Sequence, residues 1–213
     1  MLADSKHCGL VFGCSAVVED LALQRGAAHV HAVDVGHRQL DPGLRADARV
    51  TVLERVHVGR LTLDGLRAAD PGYEPVPLVV ADLSFISLRT VAPVLAGPVA
   101  APGADLVLLV KPQFEVGRVA ASRARGVVRD PALWTGALEG VASALVSAGT
   151  GIMGAMASPL TGASGNVEFL LHARKDAPGA ATGEAAALFA AAVSEAVSHR
   201  SPPGPATPAN AAD

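Results

Sequence analysis

Lysine is scarce in this chain. Only three of 213 residues are Lys (Lys6, Lys111 and Lys175), against 14 Arg, and the formal net charge is −3. A mildly acidic chain does not coat nucleic acid nonspecifically, although a local basic patch stays compatible with it. Two cysteines, Cys8 and Cys14, cannot build a disulfide framework or a four-ligand zinc site. No uncharged apolar run reaches the roughly 18 residues of a membrane-crossing helix. Aromatic residues make up only 3% of the chain, yet half of it is hydrophobic and 42 residues are Ala. That apolar fraction supplies a sizeable core and excludes disorder along the full length. The length suits one α/β domain, with residues 1–200 as the domain and 201–213 as a tail.

Both ends are readable. MLADSKHCGLVFGCSAVV has the outline of a short export signal, but Asp4 offsets Lys6 and no small-x-small cleavage site follows. Gly13-Cys14 resembles a lipoprotein box in which Phe12 is out of place. The plainer reading is a buried first strand, Leu10 to Phe12, turning at Gly13, in a cytoplasmic protein with free thiols. At the other end, SPPGPATPANAAD has the composition of a disordered tail. Before it, Glu184 to His199 carries Leu188, Phe189, Ala192 and Val193 at helical spacing.

Between the ends, short apolar runs alternate with helical patterns. Strands are predicted at His29–Val35, Val50–Leu53, Pro77–Ala81, Asp105–Val110, Gly151–Ala157 and Asn166–Ala173. Helices are predicted at Ala16–Arg25, closed by Gly26, at Leu88–Leu95, and from Pro131 to about Ser147 behind an Asp130 cap. Strand–helix alternation with fully apolar strands implies a mostly parallel sheet with helices on both faces. Ligands of such sheets sit beyond the carboxyl ends of the strands, so residues just after each strand are the candidates. Asp34 ends one strand and can accept hydrogen bonds from ribose hydroxyls, although an Asp opening a loop is common. Asp82 ends PLVVA and can orient a cation; its plainer role is turn formation with Ser84 and Ser87. Lys111 follows five consecutive apolar residues. Burial there would lower its pKa toward that of a general base, and a nearby carboxylate would oppose the shift and fix the ammonium. Glu168 falls inside an apolar strand, and a Lys111–Glu168–Asp82 cluster would satisfy all three groups. Residues 118–129 read as a long loop. From 111 to 129 five positive residues (Lys111, Arg118, Arg123, Arg125 and Arg129) stand against Glu115. Such a loop suits a phosphate-bearing substrate or a solvated surface.

The segments LQRGAAHVHAVDVGHRQL, ADLSFISL, VKPQFEVGR, GVVRDP and SPLTGASGNVEF together resemble the TlyA family, also called hemolysin A. Its members are bacterial ribosomal RNA cytidine 2′-O-methyltransferases that use S-adenosylmethionine (SAM). The likeness covers about Leu23 to Arg174. It implies a Rossmann-like methyltransferase fold and a ribosomal RNA or ribosomal-subunit partner, with no metal and no membrane. Of the Lys-Asp-Lys-Glu tetrad used by ribose methyltransferases, the Asp maps onto Asp82, the second Lys onto Lys111 and the Glu onto Glu168. The implied mechanism is in-line attack of a ribose 2′-hydroxyl, deprotonated with help from Lys111, on the sulfonium methyl. Gly13, Asp34, Val35 and Asp82 would bind the cofactor, and Arg118, Arg123, Arg125 and Arg129 would meet RNA.

Four departures from the family pattern stand out. The small RNA-binding domain that precedes the fold in the family has no counterpart before Lys6, and Lys6 does not take the role of the first tetrad Lys. VFGCSAVVEDLALQRGA replaces a DVGASTGGFTDVLLQRGA-type cofactor loop, with Val11 for its Asp and without its two later Gly, so Val17 and Val18 are expected to crowd the cofactor. His57 stands where the family has a polar Asn. Asp41-Pro42-Gly43 interrupts an expected helix. These departures predict impaired SAM binding. A truncated or frame-shifted N-terminus would account for them. The alternatives are a non-catalytic remnant that keeps the fold and weak RNA binding, and, last, a membrane-active hemolysin.

Overall fold

A computed structural model describes residues 8–13, 16–117, 126–178 and 182–200. Its sheet is built from β1 (Cys8–Phe12), β2 (His29–Asp34), β3 (Val50–Glu54), β4 (Val76–Ala81), β5 (Ala100–Val110), β6 (Thr150–Ala157) and β7 (Phe169–Lys175). The spatial order is β3-β2-β1-β4-β5-β7-β6. Pairs β1–β2, β1–β4, β2–β3 and β4–β5 are parallel, and β7 runs antiparallel to both its neighbours. The helices are α1 (Ala16–Gln24), α2 (Pro42–Ala46), α3 (Leu63–Ala69), α4 (Leu88–Leu95), α5 (Pro112–Glu115), α6 (Pro131–Ser147) and α7 (Thr182–Arg200). The expected α/β sheet with covered faces is what forms.

Strand alternation divides the core in two. Leu10 and Phe12 point into the larger cluster, with Leu106, Leu108, Trp134, Leu138 and Phe169. Val11 points the other way, into a smaller cluster with Leu23, Val30, Ala32 and Leu40. Helix α6 starts as expected: Pro131 occupies its first turn and the Asp130 carboxylate accepts from Ala132 N at 2.9 Å. Trp134 then donates from Nε1 to Val128 O at 3.0 Å, which satisfies a polar atom in the core.

Some boundaries differ from expectation. β5 begins at Ala100 rather than Asp105, because Val76 pairs with Ala100 and Leu78 with Asp105, and the irregularity between them absorbs Pro102-Gly103. β7 begins at Phe169, so Glu168 sits just before the strand and not within it. Asp41-Pro42-Gly43 does not break a helix. The Asp41 carboxylate caps α2 and Pro42 opens it, since a proline at a first helical position lacks an N–H that would be unsatisfied anyway. Residues 201–213, expected to be a tail, lie outside the described residues.

Candidate active site

The strand order reverses at β1, whose neighbours β2 and β4 lead to opposite sides of the sheet. Connections diverging there leave a crevice beyond the carboxyl ends. The crevice measures about 600 Å³ and is lined by residues that include Gly13, Asp34, Val35, Asp82, Phe85 and Lys111. Gly13 is required for its geometry. It has φ +83°, and a Cβ there would stand 1.9 Å from Asp82 O. This close approach locks the two strand ends through Asp82 N donating to Phe12 O at 2.9 Å and Gly13 N donating to Val33 O at 3.0 Å.

Asp34 ends β2, and its Oδ1 accepts from Gly36 N at 2.5 Å, which folds the turn around the carboxylate. Val35 is exposed on the cleft wall. His57 occupies the expected Asn position and also reaches the cleft. Its Nδ1 accepts from Gly59 N at 3.1 Å, so it caps a short 3-10 turn over Val58–Arg60. Val18 does not crowd the cleft; it packs against the smaller core cluster. The side chain of Val17 lies outside the described residues.

The cluster expected around Lys111 forms. Lys111 follows β5, and its Nζ lies 2.6 Å from Asp82 Oδ1 and donates to Ser84 Oγ at 3.2 Å. The antiparallel register pairs Val110 with Phe169, so one step further brings Lys111 opposite Glu168. Glu168 is buried. Burial pushes its carboxyl pKa up, the Lys111 charge opposes that, Asp82 adds to it, and a hydrogen bond from Gln113 opposes it. Gly162 makes room for this carboxyl: a Cβ there would meet Glu168 Oε1 at 2.0 Å. The arrangement is one Lys111 amine held by a half-exposed carboxylate and a hydroxyl, with a second, buried carboxyl beside it. It can hold and orient a hydroxyl brought to the cleft.

The positive loop is largely outside this picture. Arg118, Arg123 and Arg125 lie outside the described residues. Arg129 is exposed just before the α6 cap. Glu115, counted as a loop charge, is buried instead. It accepts from Ser87 Oγ at 2.6 Å and Leu88 N at 2.7 Å, tying α5 to the start of α4.

Sequence reasoning missed several residues. Ser84, Gln113 and Gly162 have no signal beyond their nearness to a motif. Phe85 is 92% exposed at the cleft rim with φ +66°, and a strained, solvent-facing aromatic two residues from Ser87 was readable only as part of a motif. Glu19 is 0% exposed, and neither of its oxygens has a side-chain hydrogen-bond partner among the described residues. In the sequence it looks like a surface helix residue.

Comparison with known proteins places the fold in a family. A family model described as FtsJ-like methyltransferase matches residues 18–175. The chain is 49% identical over 155 residues to the 16S/23S rRNA (cytidine-2′-O)-methyltransferase TlyA of Mycobacterium tuberculosis, covering 73% of this chain and 55% of that protein. It thus spans about half the length of that relative. A solved structure of a Lactococcus lactis protein described as a hemolysin superposes with TM-score 0.77 at 31% identity, over 89% of this chain and 88% of that one. The N-methyltransferase NodS of Bradyrhizobium japonicum, solved with S-adenosyl-L-homocysteine, shares the fold at TM-score 0.54 and 16% identity, over 80% of this chain and 79% of that one.

Proposed function

The chain belongs to the FtsJ-like methyltransferase family, and on that premise we propose that it methylates a cytidine ribose 2′-hydroxyl of ribosomal RNA in the cytoplasm, with SAM as the donor. The observation that carries the reading is the Lys111–Asp82 pair beside buried Glu168 at the open end of the cleft. The residues present fit the nucleoside part of the donor. Asp34 offers a carboxylate at the end of β2 for ribose hydroxyls, and Val56, Val58 and Ile86 give the cleft apolar walls. A cavity of this size suits a small-molecule ligand. When bound, SAM supplies a methyl group on a positively charged sulfur. Lys111 Nζ, as the neutral amine, takes the proton of the ribose hydroxyl. Asp82 and Glu168 then face the resulting ammonium and hold it in place. Ser84 Oγ keeps the Lys111 side chain aimed along the cleft floor.

The test is incubation with ribosomal subunits and methyl-labelled SAM, followed by digestion of the RNA to nucleosides. Label in 2′-O-methylcytidine is expected, and Lys111→Ala should lower the rate by about 10²–10⁴-fold with SAM affinity little changed. Label absent from RNA although SAM binds would refute the reading. One observation favours a second reading, a non-catalytic member that keeps the fold. Val11 and Phe12 are both buried, so the end of β1 presents no carboxylate. That reading expects no heat on calorimetric titration with SAM. Among the described residues no helix is long and apolar enough to cross a membrane, and nothing in the site favours membrane activity.

A further inference from the structure

At the opposite end of the sheet from the cleft, two histidines and an aspartate converge. His29 and His31 alternate on one face of β2, with ring centroids 4.7 Å apart. Asp70 follows the last turn of α3 and reaches His31, with Oδ2 2.9 Å from Nε2. One potential ligand atom from each of the three residues lies within 4.8 Å of the others. We propose that His29, His31 and Asp70 form a binding site for a divalent transition-metal ion of the zinc type, separate from the methyl-transfer cleft.

Two imidazoles and one carboxylate are borderline donors that suit Zn²⁺, Co²⁺ or Ni²⁺ rather than Mg²⁺ or Ca²⁺. The surroundings hold the donors in place. Thr51 Oγ1 lies 2.8 Å from His29 Nε2 and orients that ring. Tyr73 packs edge-on against His31 at 4.8 Å, and Gly72 N donates to Asp70 Oδ1 at 2.9 Å. Such outer contacts are what fix ligand orientation in metal sites. His31 is 2% exposed and its Nδ1 has no side-chain hydrogen-bond partner among the described residues, while the Asp70 side chain is 28% exposed. The site therefore has a buried floor and an open mouth, with coordination positions left for water. Cys8, paired in register with His29, lies at the edge of the cluster and is not one of its three ligands.

The test uses the untagged full chain, metal-free, titrated with Co²⁺ and Zn²⁺. Wild type is expected to take up one equivalent, with a visible Co²⁺ absorption and a Zn²⁺-dependent rise in thermal midpoint. His29→Ala and Asp70→Ala, each checked for folding by circular dichroism, should each weaken uptake by at least about tenfold. Cys8→Ala should retain it. Two-dimensional NMR of the wild type should show the His29 and His31 ring signals broadened by Co²⁺, a readout that depends on no variant. Absence of uptake by the wild type, unbroadened ring signals, equal uptake by a folded ligand variant, or loss confined to Cys8→Ala would each overturn the proposal.

Discussion

Glu19 offers the sharpest test of how burial governs this fold. It lies on α1 at 0% exposure, and its carboxyl oxygens lack side-chain hydrogen-bond partners among the described residues. Burial pushes its pKa up to about 7; its own backbone N–H opposes the shift and the Asp34 charge reinforces it. The unfolded chain ionises this group near the ordinary glutamate value of about 4.3. The folded state therefore favours the protonated form. Stability is fully present below the unfolded pKa and is lost as pH rises through about 7. The penalty comes to about 1 kcal/mol at pH 5 and about 3.5 kcal/mol at pH 8 and above. Glu19→Met keeps the side-chain length and removes the ionisable group. The variant should exceed the wild type in stability, and its advantage should grow by about 2–3 kcal/mol between pH 5 and pH 8. Urea unfolding followed by the fluorescence of the single buried Trp134 measures both proteins. Glu115 and Glu168 also have raised pKa values, but they titrate equally in both chains and cancel in the difference. A wild-type-to-variant difference that stays flat from pH 5 to pH 8 would refute the reasoning.

Gly13→Ala should cost on the order of 3 kcal/mol or more, because φ +83° is strained for alanine and its Cβ would meet Asp82 O at 1.9 Å; urea unfolding reads the loss, and a cost below about 1 kcal/mol would contradict the close approach of β1 and β4. Glu115→Ala should cost about 2–3 kcal/mol by leaving Leu88 N without its acceptor, with faster amide exchange at Leu88 and the first turn of α4 as the local signature. An unchanged exchange rate there would show that α4 does not depend on this contact.

The sheet was legible because its strands are fully apolar and punctuated. PLVVA and DLVLLV read as buried strands, which they form next to each other in parallel, and Asp130-Pro131 marks a helix start by local capping chemistry. The Lys111–Asp82–Glu168 cluster was legible for a related reason: each residue interrupts an apolar run where an ion must find a partner. What stayed hidden depends on register and facing. Glu168 comes opposite Lys111 because β7 runs antiparallel to β5 with Val110 paired to Phe169, although β7 starts three residues later than its apolar pattern suggests. His29 and His31 lie together in the sequence, but Asp70 joins them only through the path of α3. Glu115 is a charge in composition and a buried acceptor in the fold.

The damaged cofactor loop shows the same limit from the other side. As a string, Val11 replaces an acid and Val18 stands in a stretch that has lost its two later Gly, and both changes read as losses at the cleft. In the fold both residues feed the smaller core cluster on the α1 side of the sheet. These changes therefore act first on how α1 packs, and only then on the ligand. The strand end next to them keeps its shape through Gly13 and the hydrogen bond from Asp82 N to Phe12 O, neither of which uses a side chain at position 11. Glu19, buried on α1, lies close enough to Asp34 for the two charges to repel. A loop altered in sequence can thus leave the packing of the neighbouring strand end in place.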